Sequence, residues 1–316
     1  FVSKVVLKIR SLAKPLSVIG NFIKKSSMKE KITIIIFFIF CSLYYSQNTI
    51  LWKITNPKTE KTSYLIGTLH QYGENFVNKF PKIENYLSKS DLTIFECLTI
   101  DPFKTSEIIN SRKNDNDIVK YFNKTQIEKL ENYTKNSGLN LYKMSPIELK
   151  FKLQQKYTRL ICETIEKDEK NDHFDAFLIK LSDKHNINKK GFETLEEQII
   201  LLNNQYENLT WRNQKKNILY YLENILSTNP NKNDKENLCG FAEKYKNFDF
   251  DYQFKNSTNL KTLVAERNND WISKLIPQLE QQNLFIAVGF MHLMYKEGLI
   301  NQLRERGFIV EPEKMN

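Results

Sequence analysis

Short apolar runs that break at glycine mark both ends of the folded part of the chain. Residues 64–66 run into Gly67, and residues 284–288 run into Gly289. Such runs are typical of buried strands that stop at a turn. Residues 92–95 form another apolar run and end at a polar position. The pattern therefore predicts strands that end at one edge of a sheet.

Helical spacing separates these runs. Residues 81–89 and 297–306 each carry apolar positions on one face, and each is followed by a further strand, at 92–95 and 308–310. A strand, helix and strand in succession place the two strands parallel, with a right-handed crossover. We therefore predict an α/β fold with a pseudo-duplicated sheet, built from a strand–Gly-x-x-His–helix–strand unit at each end.

The middle of the chain, about 100–260, is rich in Lys, Asn and Glu and mostly helical in pattern. Helical spacing is clearest at 174–181 and 195–202, and Ser145-Pro146 followed by Glu148 is typical of a helix start. Residues 189–193 read as a connector or edge strand. We predict a helical cap over the sheet edge, followed by a helix at 263–279.

The N-terminus has the pattern of an export signal. A basic start at Met28 precedes an apolar run and a small residue, so residues 28–46 are predicted to be a signal peptide, with an uncleaved membrane anchor as the alternative. Residues 1–27 are interpreted as an upstream over-extension of the reading frame. Residues 47–316 are then one exported domain, periplasmic or extracellular, with membrane contact only through a retained signal.

Charge and cysteine content refine this picture. The chain has a net charge of +10, but residues 1–46 hold eight basic residues and one acid, so the remainder carries about +3. Nucleic acid is therefore not an expected partner. An exported chain could pair Cys162 with Cys239, which is favoured because Cys97 ends a predicted core strand. Three reduced thiols are the alternative.

The candidate chemistry begins with two of the four histidines. Gly67-Thr68-Leu69-His70 returns as Gly289-Phe290-Met291-His292, each after a predicted strand. The carboxyl ends of strands in α/β sheets are where such folds bind ligands. His70 and His292 are therefore predicted to share one site, although they lie far apart in sequence.

Further pieces give the chain a family resemblance. They are Leu51-Trp52-Lys53-Ile54, Phe95-Glu96, Met144-Ser145-Pro146, Gly191-Phe192-Glu193-Thr194, Glu266-Arg267-Asn268 with Trp271, and the two Gly-x-x-His segments. Together they resemble the TraB/GumN (TraB/PrgY) family. The resemblance implies a fold similar to erythromycin-esterase and ChaN-like proteins. It also implies kinship with the Tiki metalloproteases, which need divalent metal, both histidines and a glutamate.

The residues fit that chemistry. Imidazole and carboxylate bind transition metals, so His70, His292 and Glu96 are predicted metal ligands, with Mn, Co or Zn as the ion. Glu96 and Glu193 are candidate acid–base residues, and Arg267 is a candidate clamp for a substrate carboxylate or an oxyanion. The expected activity is hydrolysis of a peptide or a related amide or ester.

Other readings stay open. Some relatives are linked to peptide-pheromone shutdown, which suggests peptide binding without turnover, and a histidine acting as general base would give a metal-free hydrolase. A haem or iron role would rest on fold analogy alone. Asp175 is expected to be structural, and His173 and His185 are expected to be solvated. Met294-Tyr295-Lys296 stands where relatives usually carry a glycine.

Overall fold

The computed structural model describes residues 49–229 and 235–315, with the side chains of 235–238 left out. The predicted signal peptide and the upstream segment lie outside these residues. Within the described part, no helix is long and apolar enough to cross a membrane.

A single mixed sheet forms the centre of the described chain. Its strands are β1 Leu51–Thr55, β2 Thr62–Thr68, β3 Leu92–Phe95, β4 Asn188–Gly191, β5 Leu284–Gly289 and β6 Ile309–Pro312, in the order β4-β3-β5-β2-β1-β6. Strands β4, β3, β5 and β2 are parallel, whereas β1 runs antiparallel to both of its neighbours. The α/β class predicted from sequence is confirmed.

Helices connect and cover these strands. They are α1 Glu74–Val77, α2 Pro81–Leu87, α3 Pro102–Asn110, α4 Lys124–Lys135, α5 Pro146–Ile161, α6 Phe174–Lys184, α7 Leu195–Gln205, α8 Trp211–Leu226, α9 Lys235–Asn247, α10 Arg267–Gln281 and α11 Leu299–Glu305. Short 3-10 turns lie at Asp117–Lys120, Leu141–Lys143 and Phe290–Leu293, and a π-helix at Lys261–Glu266 leads directly into α10.

Local sequence signals explain where several of these helices begin. Ser145 caps α5 and Thr194 caps α7, each in a reciprocal capping box with the acid three residues later. The helix starts expected at 145–146 and 195 are thereby confirmed. The predicted strands at 92–95 and 284–288 also coincide with β3 and β5.

Two hydrophobic cores lie under these elements. The larger one packs helices against the sheet, with Trp52, Phe285, Phe290 and Trp271 almost fully buried. The second joins α4, α5 and α8 of the middle segment around buried residues such as Leu153. The predicted helical cap therefore has its own core.

The cap is nevertheless interrupted. Helix α6 and strand β4 lie inside the predicted cap segment of 100–260, yet Phe174 and Leu178 of α6 belong to the core of the sheet. The strand β4 extends the sheet beside β3.

A disulfide between Cys162 and Cys239 joins the end of α5 to α9, while Cys97 is a buried free thiol. The favoured pairing of the cysteines is confirmed.

Candidate functional site

Both Gly-x-x-His segments leave the sheet at the same edge. Strands β2 and β5 are adjacent and parallel, with Thr68 opposite Gly289 in the register. Strand β3 lies on the other side of β5, with Phe95 opposite Ala287, so Glu96 emerges beside them. The predicted shared edge is thus formed by neighbouring strands.

His70 lies in a cluster with a second histidine and an aspartate. Its Nδ1–H donates to Asp175 Oδ2 at 2.7 Å, and Thr68 Oγ1 donates to Asp175 Oδ1 at 2.9 Å. The ring of His173 stacks on that of His70 with centroids 4.9 Å apart. One ligand atom from each of His70, His173 and Asp175 lies within 4.8 Å of the others. These donors converge as a metal site requires.

Charge is distributed unevenly in this first cluster. Burial opposes a charge on His70, but the Asp175 carboxylate outweighs it and raises the pKa of His70 to about 9. Burial, together with the positive charge of His70, lowers the pKa of His173 to about 4. Burial would raise the pKa of Asp175, but His70 lowers it overall. The cluster is therefore an ion pair with a neutral imidazole beside it.

The placement of His173 corrects the sequence interpretation. His173 was expected to be solvated, but it caps the start of α6, where its Nδ1 accepts from Ala176 N–H, and its side chain is 22% exposed. Asp175, which was expected to be structural, is buried and pairs with His70 in the candidate site. The spacing His-x-Asp at a helix start is the signal that could have identified both residues. His185, in contrast, is partly exposed and pairs with Glu84.

A second cluster surrounds Arg267. Its Nη2 donates to Glu96 Oε2 at 2.6 Å and to Glu193 Oε1, and its Nε donates to Glu193 Oε2 at 3.1 Å. Its Nη1 donates to Leu263 O and to His292 Nε2, both at 3.0 Å. All five N–H groups of the guanidinium are thereby engaged. To bind a substrate carboxylate or an oxyanion as predicted, Arg267 would first have to release one of these partners.

The backbone before Arg267 helps to place it. The π-helix Lys261–Glu266 supplies Leu263 O, and Gln205 Oε1 accepts from Thr262 N–H at 2.8 Å at the start of that π-helix. Single π-helical turns occur often at functional sites. Arg267 also lies 4.6 Å from the Trp271 ring centroid, which fixes the plane of the guanidinium.

His292 is held as a neutral ring. Asn268 Nδ2 donates to two carbonyl groups, His292 O at 3.1 Å and Glu297 O at 2.9 Å, which leaves its Oδ1 as an acceptor. The Nδ1–H of His292 therefore donates to Asn268 Oδ1 at 2.7 Å, and Nε2 accepts from Arg267. Burial, only partly offset by Glu96, lowers the pKa of His292 to about 3.

The two acids of the second cluster differ. Burial would raise the pKa of Glu96, but Arg267 and the nearby histidines outweigh it and hold the pKa at about 2. Burial raises the pKa of Glu193 above its ordinary value despite the contact with Arg267. Gly289 N–H also donates to Glu96 Oε1 at 2.5 Å. Glu96 is thus fixed as a carboxylate, and Glu193 is the more basic acid.

The glycines of the repeated motif are required by close packing. A Cβ on Gly289 would lie 2.9 Å from Glu96 Oε1, and one on Gly67 would lie 3.1 Å from the backbone of Phe290. Larger residues would push the two segments apart. In the following loop Tyr295 adopts a φ of +69°, a conformation that favours glycine. This explains why a glycine would suit the segment 294–296.

The predicted ligand set is divided between the two clusters. His70 lies with His173 and Asp175, whereas His292 and Glu96 are bonded to Arg267. The clusters still influence each other, because Glu96 raises the pKa of His70 and His70 lowers that of His292. They are two parts of one polar region at the edge of the sheet.

Comparison with known proteins identifies the family of the chain. The sequence model of the TraB/PrgY/gumN family matches residues 50–312, which includes every residue of both clusters. The chain belongs to the TraB/PrgY/gumN family. No curated protein matches the chain significantly. For this family member, the two Gly-x-x-His histidines have different surroundings, one beside a carboxylate and one beside an arginine.

Proposed function

We propose that this family member is an exported, metal-dependent hydrolase that cleaves a peptide or a related amide or ester. His70, His173 and Asp175 would hold a divalent ion such as Mn, Co or Zn. The convergence of these three side chains at the edge that also carries Glu96 and Glu193 is the observation that supports the proposal. A bound ion would polarise a carbonyl group and acidify a water molecule.

The donor set fits such an ion. Two imidazoles and one carboxylate suit Mn, Co and Zn, and they leave coordination positions for water and substrate. The ligand set predicted from sequence fits less well, because Arg267 and Asn268 occupy both ring nitrogens of His292. Glu96 is likewise bound to Arg267. We therefore replace His292 and Glu96 by His173 and Asp175 as the proposed ligands.

The remaining residues have roles that follow from their contacts. Of the two acids Glu193 is the better proton acceptor, because burial raises its pKa while Arg267 keeps the pKa of Glu96 at about 2, and it would act after Arg267 releases one of its oxygens. Arg267 neutralises the two buried acids and thereby positions them. His292 completes the shell around Arg267 rather than acting on substrate.

Export and duplication are further parts of the proposal. A disulfide between Cys162 and Cys239 is expected in an oxidising compartment, which supports a periplasmic or extracellular protein. The placement of the two Gly-x-x-His segments on neighbouring parallel strands supports a pseudo-duplicated, ChaN-like sheet.

Metal content tests the central proposal. We expect about one divalent ion per purified chain by elemental analysis, after reconstitution with Mn, Co or Zn. The His173→Ala variant should lose it, and His185→Ala, a matched histidine outside the cluster, should keep it. If His292→Ala loses the ion and His173→Ala keeps it, the ligands are instead His70, His292 and Glu96. No ion in any variant would exclude the metal-dependent proposal.

A metal-free hydrolase is the second candidate. The chain Thr68–Asp175–His70 orients His70 through Nδ1 and leaves Nε2 as the nitrogen for a water molecule, which the ring can deprotonate only as the pH rises towards its pKa of about 9. This candidate expects peptide or ester hydrolysis that survives chelators and is lost in Asp175→Asn. Hydrolysis abolished by chelators and restored by metal would exclude it.

A further inference from the structure

Helix α5 carries a stripe of positive charge towards the His70 cluster. Lys152, Lys156 and Arg159 are spaced by four and three residues and therefore lie on one face of the helix. At the end of this stripe, Arg159 Nη2 donates to His70 O at 3.5 Å. The stripe thus ends at the proposed metal site.

The charge of this stripe is only partly balanced. Arg159 Nη1 pairs with Asp172 at 3.0 Å, but its Nε is buried and has no hydrogen-bond partner. Lys152 is half-buried and forms no salt bridge with any residue of the described chain. Burial, and then the positive charges of Arg159 and Lys156, lower the pKa of Lys152. A buried N–H and a desolvated ammonium group both favour an anionic partner.

We propose that Lys152 and Arg159 form a subsite for the terminal carboxylate of a peptide substrate, beside His70 and His173. This inference rests on the proposed peptide substrate, but not on its cleavage. A carboxylate accepts the free Arg159 Nε–H and pairs with Lys152, and these contacts neutralise the stripe. A carboxylate bound there lies next to the residues that would act on the neighbouring amide group.

The helix offers a matched control. Lys150 is also half-buried with a lowered pKa, yet burial is the only cause, and its Nζ lies 5.0 Å from the centroid of the Phe151 ring. It precedes Lys152 by two residues, so it points to a different side of α5. Replacing either lysine by methionine removes one charge and keeps most of the apolar stem.

Equilibrium binding tests the subsite independently of turnover. The probes are N-acetyl-trialanine as the free acid and as the terminal amide, titrated calorimetrically into the metal-free protein. Each charged hydrogen bond favours the acid by at least about 10-fold, so the wild type, with contacts from Arg159 and Lys152, should bind the acid at least about 100-fold more tightly than the amide. Lys152→Met should lower this preference at least about 10-fold, and Lys150→Met should keep it.

The outcomes separate this inference from the proposed function. A preference for the acid that depends on Lys152, without any cleavage of the peptide by the metal-loaded protein, supports the subsite and excludes the hydrolase. Equal binding of acid and amide by the wild type overturns the subsite, and so does a preference for the acid that is undiminished in Lys152→Met. A terminal amide with an internal glutamate that binds as tightly as the free acid overturns the assignment to the terminus.

Discussion

Replacing Arg267 by methionine is the most direct test of the buried charge cluster. The substitution keeps the stem that lies against Trp271 but removes the donors to Glu96, Glu193 and His292. Two buried carboxylates would then face each other without a counter-charge. We expect a large loss of folding stability at neutral pH.

The size of this loss follows from the surroundings of Glu96. Its pKa is about 2 in the folded protein against an ordinary value of 4.5, and the arginine is the main favourable cause. At about 1.4 kcal/mol per pKa unit, this shift corresponds to about 3 kcal/mol. Breaking a buried pair by removing one partner costs about 3–5 kcal/mol, so both estimates give a similar range.

The assay is the free energy of unfolding from urea titration, with Arg304→Met as the matched control. Arg304 also lies over a tryptophan ring, 5.3 Å from the Trp52 centroid, but it donates to the carbonyl of Val310 instead of to acids. Its removal should cost only about 1 kcal/mol. The difference between the two variants reports the charge cluster rather than the loss of a stacked side chain.

The pH dependence of the unfolding free energy is a second test of the same reasoning. Because the folded pKa of Glu96 lies below its unfolded value, its stabilising contribution is present above about pH 4.5 and is lost as the pH falls towards 2. In Arg267→Met this contribution is already absent. Its deficit in unfolding free energy relative to wild type should therefore shrink as the pH falls from 7 to 3. A deficit equal to that of Arg304→Met, or one that is constant with pH, would refute the reasoning.

Two other predictions concern the disulfide and His292. The double variant Cys162→Ser/Cys239→Ser should lose about 2–5 kcal/mol of unfolding free energy, because the bond closes a loop with a sequence separation of 77; unchanged denaturation midpoints in urea would contradict this. The pKa of His292 is lowered to about 3, so the folded protein is destabilised as the pH falls below about 6.5. In His292→Gln the loss of stability between pH 6.5 and 5 should be smaller by about 1.5 kcal/mol, and an identical pH profile in urea titrations would exclude a buried neutral ring.

The sheet edge was predictable from sequence because it depends on local patterns. The apolar runs before Gly67 and Gly289 predict strands, and the register of β2 and β5 brings His70 and His292 to the same edge. The helix starts were predictable for the same reason, since capping residues act on their own backbone. A capping box such as that of Ser145 needs only residues within one turn.

The partners of the histidines were not predictable in this way. His173 and Asp175 reach His70 because α6 packs on the sheet, and that contact depends on burial of Phe174 and Leu178 in the shared core. Their own segment is polar and helical, so the local pattern favoured a solvated interpretation of His173. The edge strand was one of the two interpretations of residues 189–193, whereas the packing of α6 against the sheet was not predicted.

The repeated motif therefore fixes where a histidine lies, whereas a distant side chain fixes its chemical state. Asp175 raises the pKa of His70, so the ring carries a proton that a metal ion would displace under the proposed function. Asn268 is neutral and of similar shape, and together with Arg267 it keeps His292 uncharged. A carboxylate beside one histidine and an amide beside the other thus give the two rings different charges. The repeated Gly-x-x-His motif alone would have made both equivalent.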